Sequence, residues 1–272
     1  MKEGDVTGRD YFSEWSKLYD VARFSQEIKR IKKFKQGGKV LDIGCATGSF
    51  MKMVHLEGFE PYGVDVSSFA VDYIKNTYGF PAFVGFLAES NFDKGMFDIV
   101  TMHHVIEHIP NPVKFLLNEV KPILKDNGLL VAEVPNFGSF ESKINREEWE
   151  DLKPWEHLNQ FTPETLRLCL EKAGFRVIKT ATYSPQTHRL LWRYPQLLSF
   201  IGLPESVIKQ IAHLIRLYLK DKDSKDKAEG SSEGLRDRTL LDDITRFLVM
   251  PLDFLYSNLR IGKYLAIYAE PV

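Results

Sequence analysis

Cysteine is scarce. Cys45 and Cys169 are the only two in 272 residues, and they show neither a disulfide framework nor metal-type spacing. Long apolar runs are missing too: no stretch approaches the roughly 18 residues that a membrane-spanning helix needs. The first ten residues are polar and charged, without the apolar centre of a secretory signal. No excess of one charge exists either. Lys plus Arg number 36 against 37 Asp plus Glu, a net charge of −1. That balance counts against a chain built to grip nucleic-acid phosphates. Together these absences predict a cytoplasmic protein with reduced thiols. No internal repeat is visible.

What is present suits a packed globular chain. Apolar residues make up 44% and aromatics 12%, with 19 Phe and 11 Tyr, which is ample for a sizeable core. The length fits one large domain or one domain with an appendage.

The first half alternates short apolar runs with amphipathic stretches. Val40 to Ile43 reads as a strand that ends in glycines, and Phe50, Met53 and Val54 then recur at helical spacing. Pro61 to Val66 is a second strand. Ser67 is the expected N-cap of a helix with Phe69, Ala70, Tyr73, Ile74 and Thr77 on one face. Ala82 to Val84 and Phe97 to Met102 are strands three and four. Asn111-Pro112 pairs a cap with a first-turn proline, and the helix it opens is expected to end at Asn127-Gly128. Leu129 to Val134 follows as strand five. Thr162-Pro163-Glu164 opens another helix, Gly174 stops it, and Phe175 to Thr180 is strand six. This alternation predicts a parallel sheet with helices on both faces.

Beyond residue 185 the pattern changes. Residues 186–219 read as helical, and Lys220 to Arg238 holds 12 charges in 19 residues, a solvated linker. Leu240 to Leu259 is a second apolar helical stretch, bent or broken at Pro251. Tyr264 to Ala269 is a closing strand with a buried place in the sheet. The expected organisation is N-terminal lid helices in 1–37, a central domain in 38–184 and 260–272, and a helical insertion in 185–259. That insertion can cover a substrate site, form a homodimer, or rest on a membrane surface through an amphipathic face.

The chemistry concentrates at Val40-Leu41-Asp42-Ile43-Gly44-Cys45-Ala46-Thr47-Gly48. Small residues let backbone amides approach a ligand, and the following helix offers its positive end. The turn lacks the G-x-G-x-x-G of dinucleotide sites. Asp42 stands two residues before its first glycine, and an acid there suits a cofactor with a cationic centre better than a pyrophosphate. Asp65 lies 23 residues on, at the end of strand two, where a carboxylate can accept from both hydroxyls of a ribose.

With YGVDVS, FDIVTMHHVIEHIPNP and GLLVAEVPN following it in order, the sequence resembles the class I S-adenosylmethionine-dependent methyltransferases. The nearest subgroup holds the quinone-biosynthesis O-methyltransferases and enzymes of sugar and natural-product pathways. The resemblance covers roughly 38–182 and, more loosely, the last strand. It implies a Rossmann-like, doubly wound seven-stranded α/β sheet with an antiparallel last strand, carrying the helical insertion before that strand. It implies S-adenosylmethionine as cofactor. Asp42, Gly44, Cys45, Ala46, Gly48 and His103 would line the methionine end, Asp65 would hold the ribose, and Val66, Phe86 and Leu87 would flank the adenine. Two departures stand out: Ala46 replaces a usual glycine, and Phe86 replaces a frequent acid, which leaves the adenine amino group to backbone or to Glu89.

The acceptor side rests on histidines. His104, Glu107 and His108 follow strand four, at the sheet edge where ligands bind in open α/β folds, and His157 lies farther on. A histidine can take the proton of an acceptor hydroxyl during methyl transfer, and His108 or His157 is the candidate base. If the segment is helical, His104, Glu107 and His108 share one face, with His157 as a fourth donor, as at a metal site. That pattern matches the E-x-x-E-H of some metal-holding methyltransferases imperfectly, and no metal is assigned. Phe137, Phe140, Trp149 and Trp155 can stack on an acceptor ring or pin their loop to the core. The resulting expectation is methylation of a small-molecule acceptor, a hydroxyl of a sugar, lipid-linked or aromatic metabolite. An RNA methyltransferase and a non-catalytic cofactor-binding scaffold are the alternatives, and a nicotinamide oxidoreductase stands farther off.

Overall fold

The computed structural model describes residues 14–184 and 258–272. The readings above for 185–257, including the linker and the membrane or dimer roles of the insertion, lie outside the described residues. The chain divides into two units, Met1–Ala181 with Lys263–Val272, and Thr182–Gly262. Among the described residues no helix is long and apolar enough to cross a membrane.

The elements follow the sequence alternation. They are α1 (Glu14–Ile31), β1 (Lys39–Ile43), α2 (Ser49–Leu56), β2 (Glu60–Asp65), α3 (Ser68–Tyr78), β3 (Ala82–Val84) and β4 (Phe97–His103), then α4 (Pro112–Phe115), α5 (Lys121–Ile123), β5 (Leu124–Pro135), α6 (Phe140–Asn145), α7 (Pro163–Lys172), β6 (Phe175–Tyr183) and β7 (Tyr264–Pro271). The seven strands form one sheet in the order β3-β2-β1-β4-β5-β7-β6. β1 to β5 pair in parallel with their neighbours, and β7 runs antiparallel to β5. The order reverses direction at β1 and β4, so the turns leaving these two strands face one crevice at the carboxyl edge of the sheet.

Capping works where the sequence placed it. Ser67 Oγ accepts from Ala70 N at 3.3 Å, Asn111 Oδ1 from Lys114 N at 3.0 Å, and Thr162 Oγ1 from Thr165 N at 3.2 Å. Each bond satisfies an amide that the first helical turn leaves without a partner. The central strands are buried on both faces: Leu41, Ile99, Val100, Met102, Leu129 to Ala132, and Leu265 to Ala269 have essentially no exposed surface. Removing such side chains from water is what holds the sheet, at about 1.5–3 kcal/mol for each large aliphatic.

One boundary differs from the sequence expectation. The helix opened by Pro112 ends at Ile123, not at Asn127-Gly128, after widening into a π-type turn over Leu116–Val120. Pro122 is the physical reason, because its ring has no N–H to give and crowds the carbonyl four residues earlier. β5 therefore starts at Leu124, paired with Phe97.

Gly63, in the middle of β2, sets how closely the first turn packs. A Cβ there would lie 2.7 Å from Cys45 Sγ and 2.9 Å from Met51 Sδ. Gly63→Ala is expected to lower stability by about 1–3 kcal/mol through overpacking. Urea unfolding would show this as a lower midpoint with an unchanged slope.

Candidate functional site

The small-residue turn leaves β1 in left-handed steps, with φ of 72° at Gly44, 45° at Ala46 and 77° at Gly48. Glycine adopts that region freely; Ala46 does so at a steric cost of about 1–2 kcal/mol. Two groups hold it. Gly44 N and Cys45 N donate to Val64 O, and Ala46 N donates to Asp65 Oδ2 at 2.8 Å. Asp65 Oδ1 accepts from Ser67 N at 2.9 Å. The Asp65 carboxylate is thus fixed in direction by backbone amides. Cys45 is buried, and burial followed by the charges of Asp42 and Asp65 pushes its thiol far up. Its side chain packs with Met51 and Ile74.

Around this turn, Val66 and Phe86 are exposed apolar surfaces at the ends of β2 and β3, while Leu87 is buried and packs into the main core. Glu89 is committed to the Phe86 amide, 2.9 Å from it.

Asp42 is buried. Its Oδ1 accepts from Thr101 Oγ1 at 2.8 Å and lies 3.2 Å from His103 Nδ1. The other imidazole nitrogen, Nε2, lies 3.0 Å from both oxygens of Glu27 on α1. Burial alone would lower the basicity of His103, but Glu27 and Asp42 outweigh it and raise the imidazole to about 10. One turn earlier on α1, Arg23 pairs with Glu133 on β5, and both side chains are buried. Sequence reading missed Glu27, Arg23 and Glu133. One signal was available: Glu133 interrupts the apolar run Leu129 to Val134, and a charge inside a buried strand calls for a partner.

Glu107, His108 and His157 come together past the end of β4. One potential ligand atom from each lies within 4.8 Å of the others. His108 Nδ1 is 2.8 Å from Glu156 O, and His157 Nδ1 is 2.8 Å from Asp151 O. Carbonyl oxygens only accept, so both rings carry a proton on Nδ1 and direct Nε2 elsewhere. The rings meet edge to face at 4.8 Å. Glu107 is buried, and among the described residues neither carboxylate oxygen has a hydrogen-bond partner. Burial holds its carboxyl up at about 7.

His104 does not join this group as a helical neighbour. Only Ile106–His108 form a helical turn, of the 3-10 type, and His104 precedes it with φ of 57°. Its Nδ1 still comes within 3.3 Å of Glu107 Oε1, and its Nε2 within 3.5 Å of Glu133. Burial, and then Arg23, hold His104 below its ordinary range. The loop aromatics divide: Trp149 is buried and pins the segment, whereas Trp155 is 95% exposed beside the carbonyl of Glu156 that fixes His108.

Three comparisons bear on this geometry. Residues 13–180 match the family model described as a methyltransferase domain. A ubiquinone biosynthesis O-methyltransferase of Schizosaccharomyces pombe is 31% identical over 219 residues, 78% of this chain and 70% of that one. An uncharacterised protein of Methanocaldococcus jannaschii is 26% identical over 171 residues, 62% of this chain and 80% of its own length. Among solved structures, a SAM-dependent methyltransferase of Archaeoglobus fulgidus superposes with a TM-score of 0.55 at 21% identity, across 96% of this chain and 100% of the other. That likeness is one of fold.

Proposed function

From the premise that the chain belongs to the methyltransferase-domain family and is a class I S-adenosylmethionine-dependent methyltransferase, we propose that it methylates a hydroxyl oxygen of a small sugar, lipid-linked or aromatic metabolite. The observation that carries this reading is the buried Glu107 carboxylate set against His108 and His157. Held at the 44–48 turn between Asp42 and Asp65, S-adenosylmethionine would supply the methyl group to the acceptor oxygen, with the electron pair of the broken carbon–sulfur bond staying on S-adenosylhomocysteine. The hydroxyl proton passes to Nε2 of His108 or His157, and Glu107 stabilises the imidazolium so formed. Alignment of oxygen, carbon and sulfur supplies much of the rate. The likeness to the fission-yeast quinone enzyme supports an O-methyl product, and the balanced charge counts against RNA. Turnover of S-adenosylmethionine against a panel of hydroxylated sugars, polyprenyl-linked sugars and catechols tests it. Product from none of these, with transfer to RNA instead, would overturn the reading.

A second reading has its own support. Glu107, His108 and His157 offer one oxygen and two nitrogen donors, and both rings are oriented by hydrogen bonds from the other nitrogen, as metal-bound imidazoles usually are. A divalent ion held there would lower the pKa of an acceptor hydroxyl. Chelator treatment followed by elemental analysis separates the two readings. Under the metal reading, stripped protein loses at least about 90% of its turnover and regains it with Zn2+ or Mn2+. Under the histidine-base reading, turnover is unchanged.

A further inference from the structure

The loop that supplies His157 has little regular structure of its own. Between the 3-10 turn Arg146–Glu148 and α7 it contains no helix or strand, so contacts from outside must set where its backbone carbonyls lie. Two of those carbonyls matter here: Asp151 O fixes Nδ1 of His157, and Glu156 O fixes Nδ1 of His108. The sheet reaches this loop through Lys263. Its backbone oxygen accepts from Asn136 N at 2.8 Å, directly before β7 pairs Tyr264 with Pro135, which ties the residue to the end of the sheet. Its side chain is only 9% exposed, and Nζ lies 3.2 Å from Glu150 Oε2, 3.5 Å from Asp151 Oδ2 and 4.0 Å from Glu141 Oε2. Burial works against the charge on Lys263, but Asp151, Glu141 and Glu150 outweigh it and raise the amine above its ordinary range.

These partners are not equal. The Glu150 carboxylate is 82% exposed, whereas those of Asp151 and Glu141 are 15% exposed. Water screens an exposed pair, so the Glu150 contact contributes little although it is the shortest. A pair shielded from water holds its members in place, because parting them leaves a buried charge uncompensated. Asp151 is therefore gripped by its carboxylate while its carbonyl orients His157.

We propose that Lys263 is a positioning residue for methyl transfer: by holding the Asp151 carboxylate it keeps the Asp151 carbonyl on Nδ1 of His157 and leaves Nε2 of that ring without a proton. This deepens the reading of Glu107, His108 and His157 as the group that activates the acceptor, and rests on it. Both forms of that reading need a bare Nε2, to take the acceptor's proton or to bind an ion. A neutral imidazole whose Nδ1–H has a fixed acceptor keeps one tautomer, and without that acceptor both tautomers are populated.

The test uses the full chain, free of metal, at pH 8. Proton–nitrogen correlation spectra of the imidazole rings report their tautomers, with the His157 signals identified by their loss in His157→Gln. The parent should show His157 as a single Nδ1–H tautomer. Lys263→Met should show a mixture of both and lower kcat about tenfold for the acceptor found by the panel above, with the KM for S-adenosylmethionine unchanged. Lys263→Arg should restore the tautomer and the rate. Asp151→Asn keeps the backbone carbonyl and removes the charge that Lys263 holds, so it should reproduce Lys263→Met, and it carries the test if Lys263→Met does not fold. Glu150→Gln should keep the parent tautomer and rate. A parent without the single tautomer, a tautomer kept in both Lys263→Met and Asp151→Asn, or the same loss in Glu150→Gln, would overturn the proposal, and Lys263 would then only neutralise an acidic loop. A tautomer mixture in Lys263→Met with kcat at the parent level would leave the anchor standing and remove His157 from the chemistry beneath it.

Discussion

Asp65→Ala is expected to bind S-adenosylmethionine at least about tenfold more weakly than the parent, a difference of about 1.4 kcal/mol or more. Two losses combine. The ribose hydroxyls lose a charged acceptor, which leaves polar groups without partners on binding. The turn loses the oxygens that hold Ala46 N and Ser67 N, so a strained alanine is free to leave its left-handed position. Asp65→Asn separates the two, because its single carbonyl oxygen can keep one backbone amide while the negative charge is gone. Calorimetry on folded protein decides: unchanged affinity in Asp65→Ala would overturn the ribose assignment.

Glu107→Gln should lower kcat by roughly 100-fold, since it removes the charge that supports the imidazolium of His108 or His157. The same substitution should stabilise the metal-free protein at high pH. Burial raises the Glu107 carboxyl from its ordinary 4.5 to about 7. Between those values the folded chain binds more protons than the unfolded one, so stability falls as pH rises from about 4.5 to about 7 and is flat beyond. Glutamine has no proton to lose. Denaturant unfolding of the two proteins should therefore diverge across that window, with the variant ahead by on the order of 2–3 kcal/mol above pH 7. Curves that stay parallel would mean that Glu107 is ionised and paired throughout. Bound Zn2+ would have a related effect, holding the carboxylate ionised and moving the window to lower pH.

Two kinds of signal explain how much was legible beforehand. Short-range chemistry was readable: Ser67, Asn111 and Thr162 cap helices because a side-chain oxygen reaches an amide three residues on, and the small residues at 44–48 announce a turn that larger ones cannot make. The order of the four motifs was readable too, and it carried the seven-stranded sheet with its reversed last strand. The end of the helix before β5 was not read correctly. Asn127-Gly128 looks like a stop, yet Pro122 acts first by depriving the preceding turn of a hydrogen bond.

By itself the sequence determined which segments are strands and helices, where the small-residue turn lies, and that Asp42 and Asp65 flank it. These follow from periodicity and from contacts between residues close along the chain. Only the tertiary structure decided which groups surround each histidine. His103 and His104 are adjacent in sequence, yet one is held charged by Glu27, 76 residues away, and the other is kept neutral by burial and by Arg23. His157 meets Glu107 and His108 only because the loop after β5 folds back over the end of β4. Protonation depends on which charges and how much water surround a group, and in this chain those neighbours come from distant elements brought to one sheet edge.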